Sequence, residues 1–253
     1  MGGVCVKKIA LVLLMSLCLG STAFAGDKFS LDVEVDYTTR YIWRGMDLIP
    51  DNHAAVQPWF NVSYAITDKL TVNYLGWGDY RLIDGSDSDV IDNDWDEFDH
   101  VPYLTFTLND AVNFELGYIY YYLPSSVNND QEFYGGVNLA LADNLSTSLY
   151  VYYNFDSGSA DGVYAKWALD FSEPLSEWAT FNAGAVVGYM DYDDGFDDGF
   201  ADLPLSAGVT IDLGHDLTMS VTANYSVTLE ALRDNDLNHE NEFWILTGLS
   251  YSM

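Results

Sequence analysis

Apolar and polar residues alternate with a period of two along most of the chain. In the segment 29–37, apolar residues occupy the odd positions and mainly charged residues the even ones. This pattern is typical of a β-strand with one apolar and one polar face. The alternation recurs often enough to predict twelve strands in all, the other eleven at 56–66, 70–74, 102–108, 112–122, 137–141, 149–153, 163–171, 181–189, 205–213, 217–227 and 243–251.

The connections between these segments alternate in length. Short polar turns are expected at 67–69, 109–111, 142–144, 172–174 and 214–216, and longer loops near 45–53, 82–97, 124–131, 156–161, 191–202 and 230–241. Short turns on one rim and long loops on the other are the pattern of an outer-membrane barrel, with the short turns in the periplasm. We therefore predict an all-β, up-and-down antiparallel transmembrane β-barrel, with twelve strands favoured over ten or fourteen.

The beginning of the chain resembles a secretory signal. Lys7 and Lys8 precede an apolar run from Ile9 to Leu19, and Ala23-Phe24-Ala25 supplies a small-x-small cleavage site. We predict a signal peptide at 1–25 and the barrel at 26–253. Both cysteines lie in the segment predicted to be removed, which leaves the mature part without a disulfide or a thiolate metal site.

Aromatic residues are abundant, at 15% of the chain, and many fall near predicted strand ends. Such residues form girdles at the two membrane interfaces of outer-membrane barrels. A soluble β-sandwich would also alternate apolar and polar positions, but it needs neither the aromatic excess nor the secretion signal. The expected girdle residues are Tyr41, Trp43, Tyr80, Tyr120, Tyr122, Trp178, Tyr189 and Tyr251.

The chain is strongly acidic, with nine basic residues against 39 acidic ones and a formal net charge of −30. This balance excludes a nucleic-acid binder that relies on electrostatic attraction. A basic residue facing hydrocarbon at the membrane midplane costs about 2–4 kcal/mol, so charged strand residues are expected to face the lumen. The candidate pore-lining or constriction residues are Asp32, Glu34, Asp36, Arg40, Arg44, Glu115, Lys166, Asp170 and Asp212.

These charges admit two interpretations, and the sequence leaves both open. They could line a pore that favours cations, or they could form an internal salt-bridge network that fills a narrow barrel, because a barrel of this size is easily filled by long side chains. Arg40 and Arg44 are of particular interest, because few bases are present to balance so many acids.

Two acidic loops suggest a weak calcium site, formed either by Asp92, Asp94 and Asp96 or by Asp193, Asp194, Asp197 and Asp198. Carboxylate oxygens suit hard cations such as calcium. Neither loop has the ligand spacing of an EF-hand, and acidic loops solvated at the cell surface are the simpler explanation. Apart from such loosely bound divalent cations, no cofactor is predicted.

Enzymatic motifs are absent from the sequence. Hydrolysis would need a nucleophile with a base in reach, and the four histidines are predicted in loops, in a turn or at the end of a strand. No Gly-x-Ser-x-Gly elbow and no zinc-binding His-Glu-x-x-His occurs. We therefore predict that the chain is not an enzyme.

Two segments resemble known outer-membrane sequences. The stretch Asp36-Tyr37-Thr38-Thr39-Arg40-Tyr41-Ile42-Trp43-Arg44-Gly45, followed by Ala55-Val56-Gln57-Pro58, resembles the first two strands of the TorF-type family of bacterial outer-membrane porins. The last strand, 243–253, resembles the signal read by the barrel-assembly machinery, although Met253 stands where an aromatic residue is usual. The first resemblance implies a porin, and the second implies the assembly machinery as a partner.

We therefore predict an outer-membrane porin or channel for small, preferentially cationic solutes. Its surroundings are outer-membrane lipid, and its oligomeric state is not determined by the sequence. The alternative is a structural or adhesive surface barrel that conducts nothing and binds divalent cations through its acidic loops. Whether the lumen is open decides between them.

Overall fold

The computed structural model describes residues 28–49, 53–82, 95–124, 126, 128–156, 161–193 and 195–253. The signal peptide predicted at 1–25 lies outside this part of the chain and stays a prediction. No helix among the described residues is long and apolar enough to cross a bilayer. The elements are β1 (Phe29–Thr38), β2 (Ile42–Trp43), β3 (Met46–Asp47), β4 (Ala54–Thr67), β5 (Leu70–Leu82), β6 (Trp95–Asn109), β7 (Val112–Tyr122), β8 (Asp130–Ala142), β9 (Leu145–Asp156), β10 (Gly162–Ser176), β11 (Ala179–Tyr192), β12 (Gly199–Phe200), β13 (Asp202–Gly214), β14 (Leu217–Thr228), α1 (Glu230–Asp234) and β15 (Glu242–Ser252).

Twelve long strands of the described chain form one closed antiparallel sheet. Around the ring the order is β1, β4, β5, β6, β7, β8, β9, β10, β11, β13, β14 and β15, and β15 pairs again with β1. The prediction of a twelve-stranded up-and-down barrel is confirmed. The short strands lie outside this ring order, since β2 pairs only with β3, and β12 lies beside β11.

The barrel closes where the two ends of the described chain meet. β1 pairs with β15 from Asp32 opposite Ser252 to Thr38 opposite Leu246. The last residue continues the ladder, because Leu31 and Met253 exchange two backbone hydrogen bonds of 2.9 Å. Met253 thus completes the closure by its backbone, which does not depend on an aromatic side chain. The predicted partnership with the assembly machinery stays a prediction.

The outside of the barrel is apolar, as the alternation predicts. Large hydrophobic side chains project outward and are highly exposed, among them Leu104, Phe106, Leu149, Val151, Leu205 and Phe243. Charged residues such as Asp36, Asp79 and Glu132 are buried instead. This distribution is the reverse of that in a soluble protein and matches a surface covered by hydrocarbon.

The short turns lie where the pattern predicts them, with one exception. The turn expected at 172–174 is wrong, because β10 continues to Ser176 and the turn falls at Glu177 and Trp178. Pairing of β10 with β9 ends at Phe171, whereas pairing with β11 goes on past Pro174. Proline lacks a backbone donor, and at this position no neighbour on the β9 side needs one.

Two of the expected girdle residues, Tyr41 and Trp43, lie inside the barrel and not at its lipid-facing surface. Trp178 and Tyr122 are exposed on the outside, at 60% and 45%, but Tyr41 is buried at 9% and both Tyr41 and Trp43 pack inside the barrel. The loop predicted at 45–53 also differs, because it contains the short strand β3 (Met46–Asp47), which pairs with β2. Position near a strand end predicts depth in the membrane, and it does not distinguish the lumen from the lipid.

Replacement of Leu116 by arginine on the lipid-facing side of β7, where this residue is 63% exposed, should destabilise the barrel. We expect the free energy of unfolding in lipid vesicles to fall by about 2–4 kcal/mol, because a base near the midplane is poorly solvated. Leu141→Arg is the matched control, since this residue faces outward beside the β8–β9 turn, where the same change costs only about 0–1 kcal/mol. Equal losses in urea titrations of the two variants would contradict the predicted depth.

Candidate functional site in the lumen

A small hairpin after β1 carries the central residues of the site. Ile42 pairs with Asp47 and Trp43 with Met46, which leaves Arg44 and Gly45 as a two-residue turn. Both have positive φ angles, 49° and 78°, as a type I′ hairpin turn requires. Glycine adopts this conformation without strain, whereas Arg44 does so at a cost that its contacts must offset.

The hairpin and its flanking residues 41–49, here called the inner hairpin, fold into the barrel. Ile49 is fully buried. The Tyr41 ring lies 5.4 Å from that of Trp77, centroid to centroid, and its hydroxyl donates a 3.0 Å hydrogen bond to Oε2 of Glu97. Leu48 donates its backbone N–H to the carbonyl of Tyr41 at 2.9 Å, which holds the two arms together. These contacts fix the base of the inner hairpin against β5 and β6.

The tip of the inner hairpin reaches the opposite wall. Arg44 donates from Nη1 and Nη2 to the two carboxylate oxygens of Glu132 on β8, at 2.8 and 2.6 Å. Its guanidinium carbon lies 5.0 Å from the ring centroid of Tyr152 on β9, the strand six places from β1 in either direction around the ring. The inner hairpin therefore crosses the lumen from one side to the other.

The Arg44–Glu132 pair is almost fully shielded from solvent, with side-chain exposures of 8% and 0%. Burial alone lowers the pKa of Arg44, but the Glu132 carboxylate, Tyr192 and Tyr121 oppose it, and the net pKa lies above the ordinary value for arginine. The guanidinium is therefore charged. A buried charge is tolerated when its partner satisfies it with good geometry, and the bidentate contact does so.

A second loop covers the inner hairpin. In α1, Ala231 and Leu232 are each 1% exposed and pack into a cluster with Tyr164 and Met190, against which Met46 also packs. Asn238, which follows α1, donates from Nδ2 to the carbonyl oxygen of Gly45 at 2.7 Å. The loop between β14 and β15 thus holds the inner hairpin in place.

Beneath the inner hairpin lies a cavity of about 650 Å³. Aromatic rings form most of its wall, and Asp99, Glu115 and Lys166 supply charged groups. The Lys166 ammonium lies 5.4 Å and 5.5 Å from the ring centroids of Tyr150 and Tyr152. The full lining comprises Tyr41, Trp43, Leu75, Trp77, Asp99, Val101, Glu115, Ile119, Tyr121, Tyr134, Tyr150, Tyr152 and Lys166. The cavity thus combines flat apolar faces with acidic groups.

Among the predicted pore residues, Glu115 and Lys166 line this cavity, and Arg44 lies immediately above it. Asp32, Glu34 and Asp36 follow the inward-facing positions of β1, and Asp36 is 7% exposed. Of the buried carboxylate oxygens, Asp36 Oδ1, Asp79 Oδ2 and Asp99 Oδ1 have no hydrogen-bond partner among the described residues. Acidic groups therefore gather on the β1, β5 and β6 side of the lumen.

The remaining predicted pore residues lie apart from this group. Arg40 forms an ion pair with Glu242 at the start of β15. Asp170 lines a separate cavity of about 410 Å³ beside the β8–β9 turn. Asp212 is exposed near the β13–β14 turn, where its carboxylate accepts a 2.7 Å hydrogen bond from the N–H of Gly214. The structure thus does not bring Asp170 and Asp212 to the inner hairpin.

The structure describes only some residues of the predicted calcium sites. Asp92, Asp94 and Asp194 lie outside the described residues, and Asp96 forms an ion pair with Arg81. In the second loop, Asp198 accepts a 2.7 Å hydrogen bond from the Tyr189 hydroxyl, and the N–H of Asp197 is bound by Asn235. In the part of the chain that the structure describes, no three His, Cys, Asp or Glu residues are placed to hold a metal ion. Divalent-cation binding by these loops stays a prediction.

Several residues of the site were not among the sequence-based candidates. Glu132 and the tyrosines that surround Arg44 are the main ones. The alternation did contain a signal for Glu132, because Phe133 and Val137 face outward and the residue directly before Phe133 must then face inward. The predicted strand began only at Val137, however, and the structure shows that β8 starts at Asp130.

The arrangement as a whole can be compared with known proteins. No protein-family model and no curated protein sequence matches the chain. Solved structures do match in fold: the COG4313 outer membrane channel from Pseudomonas putida F1 aligns with a TM-score of 0.59 at 10% identity over 92% of this chain and 98% of that one. The chain is an outer-membrane β-barrel.

Two further structures with the same fold are porins. The KdgM porin aligns with a TM-score of 0.52 at 11% identity, over 88% of this chain and 99% of the porin. The NanC porin aligns with a TM-score of 0.53 at 12% identity, over 87% of this chain and 98% of the porin. At such identities the likeness concerns the fold, and with the apolar outer surface it places this barrel in the bacterial outer membrane. The TorF-type resemblance stays a prediction.

Substitution of Gly45 by alanine should release the inner hairpin. A Cβ atom at this position would lie 2.6 Å from Leu232 Cδ1 and 2.7 Å from Asp202 Cβ, in addition to the positive φ. We expect a loss of hydrogen-exchange protection at the Leu48 N–H. The matched control is Gly214→Ala, because Gly214 has a φ of 80° but nothing within 4 Å of the added atom. The Gly214→Ala substitution should lower the free energy of unfolding only by the backbone strain, about 1–2 kcal/mol. An equal loss in the Gly45→Ala variant would contradict the packing role of Gly45.

Breaking the buried ion pair by Glu132→Gln should also destabilise the barrel. We expect the free energy of unfolding to fall by about 3–5 kcal/mol, because the Arg44 charge stays buried without its partner. The double variant Arg44→Met/Glu132→Leu removes both charges and should recover most of the loss. Chemical unfolding of the three proteins in the same detergent measures this, and a double variant as unstable as the single one would refute the explanation.

Proposed function

We propose that this barrel is a channel for small solutes that favours cations, and that the inner hairpin forms its constriction. The observation that carries this proposal is the aromatic and acidic cavity that lies in the lumen directly beneath the inner hairpin. A cavity in this position receives any solute that passes the hairpin, because the closed wall leaves only the two ends of the barrel as ways in.

The balance of charged groups supports a preference for cations. The cavity contains two carboxyl groups, from Asp99 and Glu115, against the single ammonium of Lys166. Further carboxyl groups face inward from β1, where basic residues are absent. Charged side chains along a pore set its selectivity, and an acidic lining lowers the free energy of a cation relative to that of an anion.

The aromatic wall supports organic cations in particular. Lysine and arginine groups of the chain itself already lie against Tyr150, Tyr152 and Tyr164. The face of an aromatic ring attracts a positive charge and at the same time buries the apolar part of a solute. These features suit small organic cations better than hydrated metal ions.

The channel proposal includes no enzymatic activity. The similar structures named above are two porins and an outer-membrane channel, which is consistent with a transport role for this fold. The sequence-based prediction that the chain is not an enzyme is kept as part of the proposal.

The alternative, a barrel that conducts nothing, is favoured by one observation: the inner hairpin crosses the lumen and is fixed at both its base and its tip. In that case the acidic loops would carry the function by binding divalent cations at the cell surface. Planar-bilayer recording separates the two, because a folded protein that gives no conductance steps would support the structural barrel and contradict the channel.

The proposed selectivity can be tested with a matched pair of substitutions in the cavity. Glu115→Gln removes one negative charge and should shift the reversal potential in a KCl gradient toward lower cation preference. Lys166→Gln removes the positive charge and should shift it in the opposite direction, because the two groups line the same cavity. Shifts in the same direction, or no shift in either variant, would show that this cavity does not lie on the ion path.

A further inference from the structure

The Arg44 guanidinium lies in an aromatic cage. Its central carbon is 4.2 Å from the ring centroid of Trp43, 4.5 Å from that of Tyr164 and 5.0 Å from that of Tyr152. The two terminal nitrogens meet the Glu132 carboxylate as a planar fork, and Nη1 also donates to the Tyr192 hydroxyl at 3.0 Å. Ring faces around the plane and a carboxylate at its edge are the contacts that a guanidinium group prefers.

Most of this cage belongs to the barrel wall. Glu132, Tyr152, Tyr164 and Tyr192 lie on the adjacent strands β8, β9, β10 and β11, whereas Trp43 comes with the inner hairpin. We call these four wall residues the guanidinium cage. The recognition surface therefore remains on the wall if the inner hairpin moves away.

Hydrogen bonds with neighbouring wall residues hold side chains of the guanidinium cage in position. The Tyr121 hydroxyl donates a 2.9 Å hydrogen bond to Oε2 of Glu132, and so orients the carboxylate independently of Arg44. The Tyr164 hydroxyl donates to Oδ1 of Asp202 at 2.9 Å. Because these supports lie in the wall, the cage is organised in advance for a cation of this shape.

We propose that the guanidinium cage is a binding site for small solutes that carry a guanidinium group, and that Arg44 is its built-in occupant. A solute of this class that enters the cage displaces Arg44, and the tip of the inner hairpin then loses its charged contact with the opposite wall. The part of this proposal that concerns opening of the lumen rests on the proposed channel function. The binding site itself does not.

The geometry favours a guanidinium over an ammonium group. An ammonium ion lacks the planar fork that meets both oxygens of Glu132 at 2.8 and 2.6 Å. Tyr152 also connects the cage with the cavity below, since its ring centroid lies 5.5 Å from the ammonium of Lys166 and the residue lines that cavity. A displaced or passing cation would therefore find a continuous aromatic surface between the cage and the cavity.

Competition with Arg44 determines how the site should be measured. A tethered group acts at an effective concentration on the order of millimolar or above, so a free solute binds weakly to the native protein. The Arg44→Ala variant removes the competitor and leaves the wall residues in place. This variant is therefore the sharper probe of the guanidinium cage.

The experiment is calorimetric titration of the full barrel in detergent with guanidinium chloride at constant ionic strength. We expect saturable binding to the Arg44→Ala variant that is about tenfold or more tighter than binding to the native protein. Adding Glu132→Gln to that variant should weaken binding by about tenfold or more, because the N–H groups of the guanidinium ion then lack their charged acceptor. Urea, a neutral molecule of the same shape, should not bind.

Controls separate this site from general salt effects and from misfolding. Arg40→Ala removes an arginine whose partner is Glu242 at the rim, and it should leave guanidinium binding as weak as in the native protein. If Arg44→Ala does not fold, the native protein provides the test, because added guanidinium should increase hydrogen exchange at the Leu48 N–H while equal sodium chloride should not.

Three results would overturn the proposal: equal guanidinium affinity with and without Glu132, equal binding of urea, or no saturation in the folded Arg44→Ala variant. The titration requires no current through the barrel. A barrel that binds guanidinium but gives no conductance would therefore contradict the channel function alone. A conducting barrel without the binding would contradict the guanidinium cage alone.

Discussion

The structure depends on the requirement that every backbone N–H and C=O group within the membrane be paired inside the protein, because hydrocarbon offers no partner. The described strands meet this requirement only because β15 returns to β1 and Met253 continues that ladder. Closure has two consequences. It leaves an outer surface that can be wholly apolar, and it encloses a space in which polar and charged residues can be buried next to one another.

The inner hairpin uses this enclosed space. A buried arginine would be too costly on the lipid side of the wall, but in the lumen Glu132 and the surrounding aromatic rings replace its lost hydration. The same contacts offset the strained backbone of Arg44, whose φ is positive. The backbone strain at Arg44 is thus offset by its ion pair with Glu132 on the opposite wall. The inner hairpin and the barrel wall therefore stabilise each other.

The segment from Tyr41 to Gly45 acquires a physical explanation from this arrangement. Tyr41 anchors the base of the inner hairpin to Glu97, Trp43 packs against Tyr121 with ring centroids 6.1 Å apart, and Arg44 and Gly45 form the turn. These residues belong to the stretch from Asp36 to Gly45 that, with Ala55 to Pro58, carries the predicted resemblance to the TorF-type porins.

The sequence by itself determined the number of long strands and the side that residues within the predicted strands face, because the period of two is imposed by local backbone geometry and by the contrast between lipid and lumen. It also indicated that Glu115 and Lys166 face inward. It did not reveal that Tyr41 and Trp43 leave the wall, or that Arg44 meets Glu132 across 88 residues of chain. Those contacts depend on the curvature that brings β8 and β9 opposite β1, and only the closed tertiary structure decided them.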